Sequence, residues 1–441
     1  MELFKTIEYL KIDIANNSGK SEYHLDNEGK PKTLDKLSYK ERIEWFDKKF
    51  KNALWLTQAT PKEIKSFVEQ ELIEPEIPLA FAGLQAYQKY LNNEPTGYMV
   101  AFDACSSGIQ LMSALTADMR GLALTGCLGN TRSDIYTTAY ERFKQIVGSN
   151  VQKEREDLKK AVMTHYYGSK ATPKRVLGEE SLPAFYQTMR ELCSGASQLR
   201  DLLVGTWNSS QDFHAWTNAD GHISYIPTVV ECKTSVYVLG QEIPIKLKLQ
   251  KTKDSGLSNA ANIIHAQDAL LVREMVRRCK YERELIIQIV YWLLQADSIN
   301  QEDTSVSDEQ LIQMGQLGRM IYLYNTTNFM SVRICDYITS ITDVLQLSKQ
   351  HREKLLDTLQ KMICYSPFDV VCIHDSFKSH CKNINFISYW YKELIADFID
   401  SKILQCILNQ LTPNPFQLFH NNEYRKELAS LVRLDGNYAI T

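Results

Sequence analysis

The sequence predicts an α+β protein that is mostly helical, with a small number of strands. Three observations carry this. Most of the chain places apolar residues at helical spacing among interleaved charges. Two short apolar runs end in a carboxylate: YMVAFDACSSGIQ (98–110), which delivers Asp103, and DVVCIHDSF (369–377), which delivers Asp375. Residues 222–250 are rich in Val, Ile, Tyr and Thr and read as strands, including a long hairpin at about 228–250.

The chain has 441 residues, 44% hydrophobic and 23% charged, enough for two or three lobes. Net charge is -3, so the whole-chain balance carries no nucleic-acid signature. One stretch departs from it. Residues 142–175 hold nine Lys/Arg against three acids, which suits either an anionic ligand such as phosphate or a solvated helix face. None of the ten cysteines forms a C-x-x-C pair, so reduced core cysteines are expected. The N-terminus lacks the apolar core of a signal peptide, and no run approaches the roughly 18 apolar residues of a membrane span. A soluble, intracellular protein is the expectation.

Residues 1 to about 95 read as helical after a short start. Ser38 caps a helix over 38–56, 16–31 is a polar loop, and 78–91 is an amphipathic helix. No recognisable chemistry shows there. Behind Asp103, SSGIQLMSALTADM reads as a helix, and Ser133 caps the next. A longer helix follows, roughly Val151 to Tyr167, closed by Gly168. Residues 180–210, 260–279 and 280–360 are helical, with a polar break at 301–309, and so is 389–411.

In the helix after Val151, Arg155, Lys159, Met163 and Tyr167 are spaced four apart and share one stripe. The stripe runs from cationic to apolar to aromatic. It fits a nucleotide, with cations on the triphosphate and a flat surface under the base. It equally describes an amphipathic helix with two surface cations and a core Met and Tyr. Asp103 and Asp375, brought side by side, would repel unless divalent cations bridge them; singly, each reads as a capping or surface Asp. His374 alone reads as a structural histidine.

Taken together, these stretches resemble the single-subunit RNA polymerase family of bacteriophages and mitochondria. FDACSSGIQLMSAL resembles its motif A, REDLKKAVMTHYYGSK its motif B (R-x3-K-x7-YG), and IHDSF its motif C. NIIHAQDALLVR is similar to the family's H-x-x-D helix, and AWTNADGHISYIP to its W-T-x-x-G segment. The five occur in family order over roughly 70–441, with a fainter echo in EYLKIDIANNSG.

The resemblance implies a right-hand polymerase palm and fingers, with a small antiparallel palm sheet, lacking the thumb and N-terminal domain. Palm would occupy 1–131 and 265–441, and fingers 132–264, with the nucleotide-binding helix at 151–168. Asp103 and Asp375 would bind two Mg²⁺, assisted by the Ala104 carbonyl. Lys159 would contact the triphosphate and protonate departing pyrophosphate, while Arg155 holds the outer phosphates. Tyr167, with Met163 and Gly168, would flank the insertion site and select the ribose 2′-hydroxyl. His265 would reach the growing end, and His374 would support Asp375.

Three departures stand out. Ala104 follows the first acid where the family usually has Gly. Residues 280–366 form a helical insertion. The thumb and first palm segment have no counterpart, which resembles the large subunit of a split enzyme of the kind found in N-four-like phages. The implied partners are template DNA, nascent RNA, ribonucleoside triphosphates, a smaller subunit supplying thumb and phosphate-binding palm edge, and a single-stranded-DNA recruitment factor. The implied location is the cytoplasm of an infected bacterium. The terminal NYAIT (437–441) would fold back towards the site or fray. Lys246, Lys248 and Lys251 on the hairpin would suit DNA phosphates or sit on an ordinary strand pair. The competing readings are a related family A-type DNA polymerase and a non-catalytic scaffold. His374-Asp375-Ser376 in place of HDE, Tyr167 in place of Phe, and CSSGIQ in place of SQxELR favour RNA synthesis.

Overall fold

The computed structural model describes residues 4–441 except 26–28, 149–152, 255, 257, 299–306, 413–416 and 435–437. Among the described residues, nine strands form four small antiparallel sheets beside many helices. The first sheet is the hairpin β1 (Lys20–Leu25) and β2 (Pro31–Thr33), where the sequence reads as loop. These strands are short and half-polar, so alternation gives no signal there.

The central sheet joins β3 (Met99–Asp103) to the two strands near the other end of the chain, β8 (Val371–Ile373) and β9 (Ser376–His380), in the order β3-β9-β8. In β3, Val100 and Phe102 are buried and Met99 and Asp103 exposed, the alternation of a strand with one covered face. β8 and β9 are joined by only two residues, His374 and Asp375, with Ile373 opposite Ser376. His374 takes the left-handed conformation such a tight turn needs, at φ 55. Asp375 is therefore a hairpin-tip residue rather than a strand residue.

The helix Ile384–Asp400 packs on β9, and the helices Ser107–Thr116 and Ser258–Cys279 pack on it and on each other. The N-terminal helix Thr6–Asn17 packs on Tyr39–Lys49, on Ile77–Leu91 and against β3. Its buried Asp13 accepts hydrogen bonds from the Ala101 N–H (2.9 Å) and the Tyr98 hydroxyl (2.7 Å), which ties the helix to the acid-bearing strand. Burial raises that carboxyl to about 6.

Residues 438–441 lie along the other part of the same strand edge. The Asp103 N–H donates to the Thr441 carbonyl (3.1 Å) and the Thr441 N–H returns a bond to Asp103 (2.8 Å). Tyr438 stacks on Tyr39, and the Gln110 amide donates to the Ala439 carbonyl. The tail is thus docked; Asn437 falls outside the described residues.

Asp134 rather than Ser133 caps the helix Ile135–Val147, accepting the Tyr136 and Thr137 N–H groups. The helix predicted over 151–167 runs from Arg155 to His165, and residues 149–152 are outside the described set. Gly168, at φ 84, closes the turn that carries Tyr167. β4 (Phe213–Thr217) pairs with β5 (Ile223–Pro227), and β6 (Val229–Val238) with β7 (Gln241–Gln250) through Leu239-Gly240. The β6–β7 ribbon has two unlike faces. Val230, Cys232 and Val236 stand opposite Leu249, Leu247 and Ile243, while Lys233 faces Lys246 and Glu231 faces Lys248.

The helical region after Cys279 is anchored by buried charge. Asp397 accepts from Arg278 (3.0 Å), Lys354 (3.0 Å) and Arg433 (3.1 Å), joining four helices. Asp397 is 5% exposed, and its three cations hold its carboxyl well below the usual carboxylate range. No helix among the described residues is long and apolar enough to cross a membrane.

Candidate active site

The pairing of β3 with β9 builds the site. Asp103 sits opposite Ser376, and the Ala104 N–H donates to the Asp375 carbonyl at 3.1 Å, so two acids distant in sequence become neighbours. Both line one cleft of about 510 Å³. Among the described residues, neither carboxylate takes a hydrogen bond or an ion pair. Two unpaired carboxylates facing one cleft match the oxygen preference of a hard divalent cation. No group of three or more His, Cys, Asp or Glu occurs there among the described residues, so further ligands would be carbonyls, water or substrate oxygens. The Ala104 carbonyl accepts the Ser106 N–H at 3.0 Å and keeps a second lone pair.

The turn after Asp103 explains how Ala replaces Gly. The left-handed residue is Ser106, at φ 63, and Ala104 keeps a negative φ. Ser106 carries a backbone cost of roughly 1–2 kcal/mol. Its hydroxyl is held by the Tyr136 hydroxyl at 2.9 Å.

Lys159 and Met163 line the same cleft from the facing helix, with Lys159 Nζ 5.8 Å from the Tyr136 ring centroid. Arg155 does not line it. Its guanidinium donates to Thr137 (2.9 Å), Glu156 (2.8 Å) and Asp134 (2.7 Å), which staples the helix start to the neighbouring helix. The N-terminal region, where no chemistry was legible, contributes Asp35 and Lys36, paired at 3.0 Å. Arg132, in the loop before Asp134, is also in the wall. No sequence pattern marked these three residues.

A second cleft of about 660 Å³ lies on the other side of Asp375. It is lined by Tyr167, His265, Asp268 and His374 among others. The Tyr167 and His265 rings are 4.8 Å apart. Burial, then the charges of Asp268 and Asp375, push the Tyr167 hydroxyl's pKa up, so it stays protonated. Gly108 is its seat: a Cβ there would collide with the hydroxyl and lie 2.9 Å from Cζ. Gly108 has no positive φ, and Ala would be favoured in its helix by about 1 kcal/mol, so it is the Tyr167 contact that calls for glycine. Burial, then the neighbouring His374, lower the His265 imidazole below its ordinary value. Asp268, the acid of the H-x-x-D stretch, was given no role in the sequence reading. Burial, then the Asp375 charge, raise its carboxyl to about 7. The signal was present three positions after His265, on the same helix face.

A family model described as DNA-dependent RNA polymerase matches residues 4–199. Over those residues, less than half of the chain, the sequence is similar to that family. No curated protein matches the chain. The match covers Asp103, Lys159 and Tyr167 and stops before His265 and Asp375. The latter two join the first set through the β3–β9 pairing and the helix Ser258–Cys279. DNA-directed RNA synthesis is the activity the family supports. Template DNA, RNA and nucleoside triphosphates are the ligands it implies.

Proposed function

We propose that this chain is the catalytic subunit of a DNA-directed RNA polymerase, joining ribonucleotides to an RNA 3′-hydroxyl and releasing pyrophosphate, in phage gene transcription. The observation that carries it is one cleft bounded by two unpaired carboxylates on one side and Lys159 on the other. In this reading the central sheet is the palm, and the helices between 132 and 264 are the fingers. The alternative of a non-catalytic scaffold is disfavoured by the intact Asp103, Lys159, Tyr167 and Asp375 set.

Asp103 and Asp375, with the Ala104 carbonyl, would hold two Mg²⁺. When bound, these ions lower the pKa of the attacking hydroxyl and offset charge on the leaving pyrophosphate. Lys159 approaches the triphosphate and gives a proton to a pyrophosphate oxygen as it departs. Met163 lies under the base. His265 contacts the growing end, and His374 sets the height of Asp375 through its left-handed turn.

Tyr167 presents a protonated hydroxyl where the sugar enters, held by Gly108 and His265. Tyr167→Phe is expected to narrow the preference for ribonucleotides over deoxynucleotides about tenfold, the worth of one hydrogen bond of about 1.4 kcal/mol. Competition primer extension measures it, and an unchanged ratio removes Tyr167 from sugar selection.

The proposal as a whole is tested by primer extension on single-stranded DNA with labelled ribonucleotides and Mg²⁺. Template-dependent RNA product is expected; incorporation of deoxynucleotides alone would favour the DNA polymerase reading. A second, smaller chain supplying a thumb, a single-stranded-DNA recruitment factor, and action in the cytoplasm of an infected bacterium complete the proposal. Processive transcription by this chain alone overturns the thumb-subunit part.

A further inference from the structure

Residues 401–422 contain neither Asp nor Glu. They form most of the wall of a third cleft, of about 540 Å³, which shares no lining residue with the two clefts beside Asp375. Three basic side chains meet there: Lys402, His420 and Arg425. The described remainder of the wall is neutral. Lys402 is exposed and makes no ion pair among the described residues. Arg425 is 8% exposed and donates to two backbone carbonyls, Ile399 (2.7 Å) and Leu115 (2.9 Å), which carry no charge to balance its own. Asp400 acts on Arg425 through space but does not line the cleft.

The backbone adds to this positive charge. The helix Ile403–Leu411 begins in the wall, and Leu404 and Gln405 of its first turn line the cleft. A helix start carries partial positive charge and favours an acceptor side chain at its cap. Here the cap residue is Lys402, which has donors only and makes no side-chain cap bond. His420 registers the result: burial, then the charges of Arg425 and Lys402, lower its imidazole to about 4. Two permanent cations, a titratable ring and a helix start thus face one cavity, and no carboxylate among the described residues lines it. That wall is complementary to a multiply charged anion. Phosphate oxygens accept from ammonium and from first-turn N–H groups alike.

We propose that the cleft of Lys402, His420 and Arg425 is a second anion site, separate from the acid cleft, which binds phosphate, either as free pyrophosphate or on a nucleic-acid strand. Lys402 contacts the anion, and His420 donates to it once protonated. Arg425 supplies charge from behind while holding the ends of two helices. One of these, held at Leu115, is the helix Ser107–Thr116 that seats Tyr167 at Gly108, near its other end. The site goes beyond the polymerase reading and does not depend on it.

Titration of the full chain with sodium pyrophosphate tests this, without Mg²⁺ and in a Lys159→Ala background that weakens the acid cleft. Histidine ring resonances are followed by NMR, with His420 identified as the peak lost in His420→Gln. The bound anion is expected to raise the His420 pKa by about one pH unit or more, because a neighbouring negative charge favours the imidazolium. Lys402→Ala is expected to weaken binding about tenfold. Its melting temperature should stay level, since the side chain is exposed and has no ion pair among the described residues to lose. Lys402→Arg should bind as the parent does. A parallel titration with oligothymidylate separates the two sources: a His420 response to the oligonucleotide alone assigns the site to strand phosphates. A His420 ring that responds to neither probe, or equal binding by Lys402→Ala and its parent, overturns the proposal. Should Lys159→Ala fail to fold, the wild-type chain in chelator gives the same reading, because the His420 peak reports its own cleft. The polymerase reading fails separately, by absence of ribonucleotide incorporation, and that result leaves this site standing.

Discussion

Asp375→Asn is expected to lower templated RNA synthesis on the order of 10³-fold, the effect of losing ~4 kcal/mol of transition-state stabilisation. The substitution keeps the side chain's volume. It keeps the bond from the Ala104 N–H as well, because that bond ends on the backbone carbonyl of residue 375. The carboxylate has no protein partner to lose, and its removal relieves repulsion with Asp103. Thermal stability should therefore stay level or rise slightly while activity collapses. Single-turnover primer extension beside differential scanning fluorimetry measures both. Elongation near the wild-type rate would remove Asp375 from the metal-holding pair. A parallel fall in stability would mean that the hairpin tip is structural.

Asp397→Asn is expected to do the reverse, damaging the fold at a residue that lines neither cleft. The side chain is buried among Arg278, Lys354 and Arg433. A neutral amide would take the shared carboxylate from three cations, leaving Arg433 on Glu393 and Arg278 beside Glu274, at a cost of about 3–5 kcal/mol. The pH dependence has a definite sign. The folded-state pKa lies below the unfolded one, so the contribution is complete above about pH 4 and is lost as pH falls further. The difference in melting temperature between wild type and variant should be constant from pH 8 to 5 and shrink below about pH 4. A difference that widens on acidification would contradict the charge assignment.

What was legible in the sequence followed from local pattern. β3 was legible because apolar residues run straight into Asp103, and Asp375 because the same arrangement recurs. Helix capping was legible to within one residue: the cap is Asp134, one position beyond Ser133. What escaped notice depends on partners distant along the chain or on loops without periodicity. The stripe of four residues was visible, but that Arg155 is occupied by Asp134 is a fact about two helices meeting. Arg132 lies in a turn-rich segment where no spacing marks it. Asp35 and Lys36 enter the cleft because the N-terminal helix is strapped to β3 through Asp13, a long-range contact. Gly108 stands in the predicted helix SSGIQLMSALTADM with nothing to mark it, and only the position of Tyr167 shows why a side chain is excluded there.

The pairing of Asp103 with Ser376 also sets a timetable. β3 leaves the ribosome early, while its partner strand is made only after most of the chain. At roughly 5–20 residues per second the interval is on the order of tens of seconds. Throughout it the acid-bearing strand has no β9 to pair with, and its ladder groups are open to wrong partners. Such distant pairings also close slowly once both strands exist. During synthesis, then, the nascent chain passes through a long catalytically silent phase, and the helix bearing Asp13 is the brace already made when it begins.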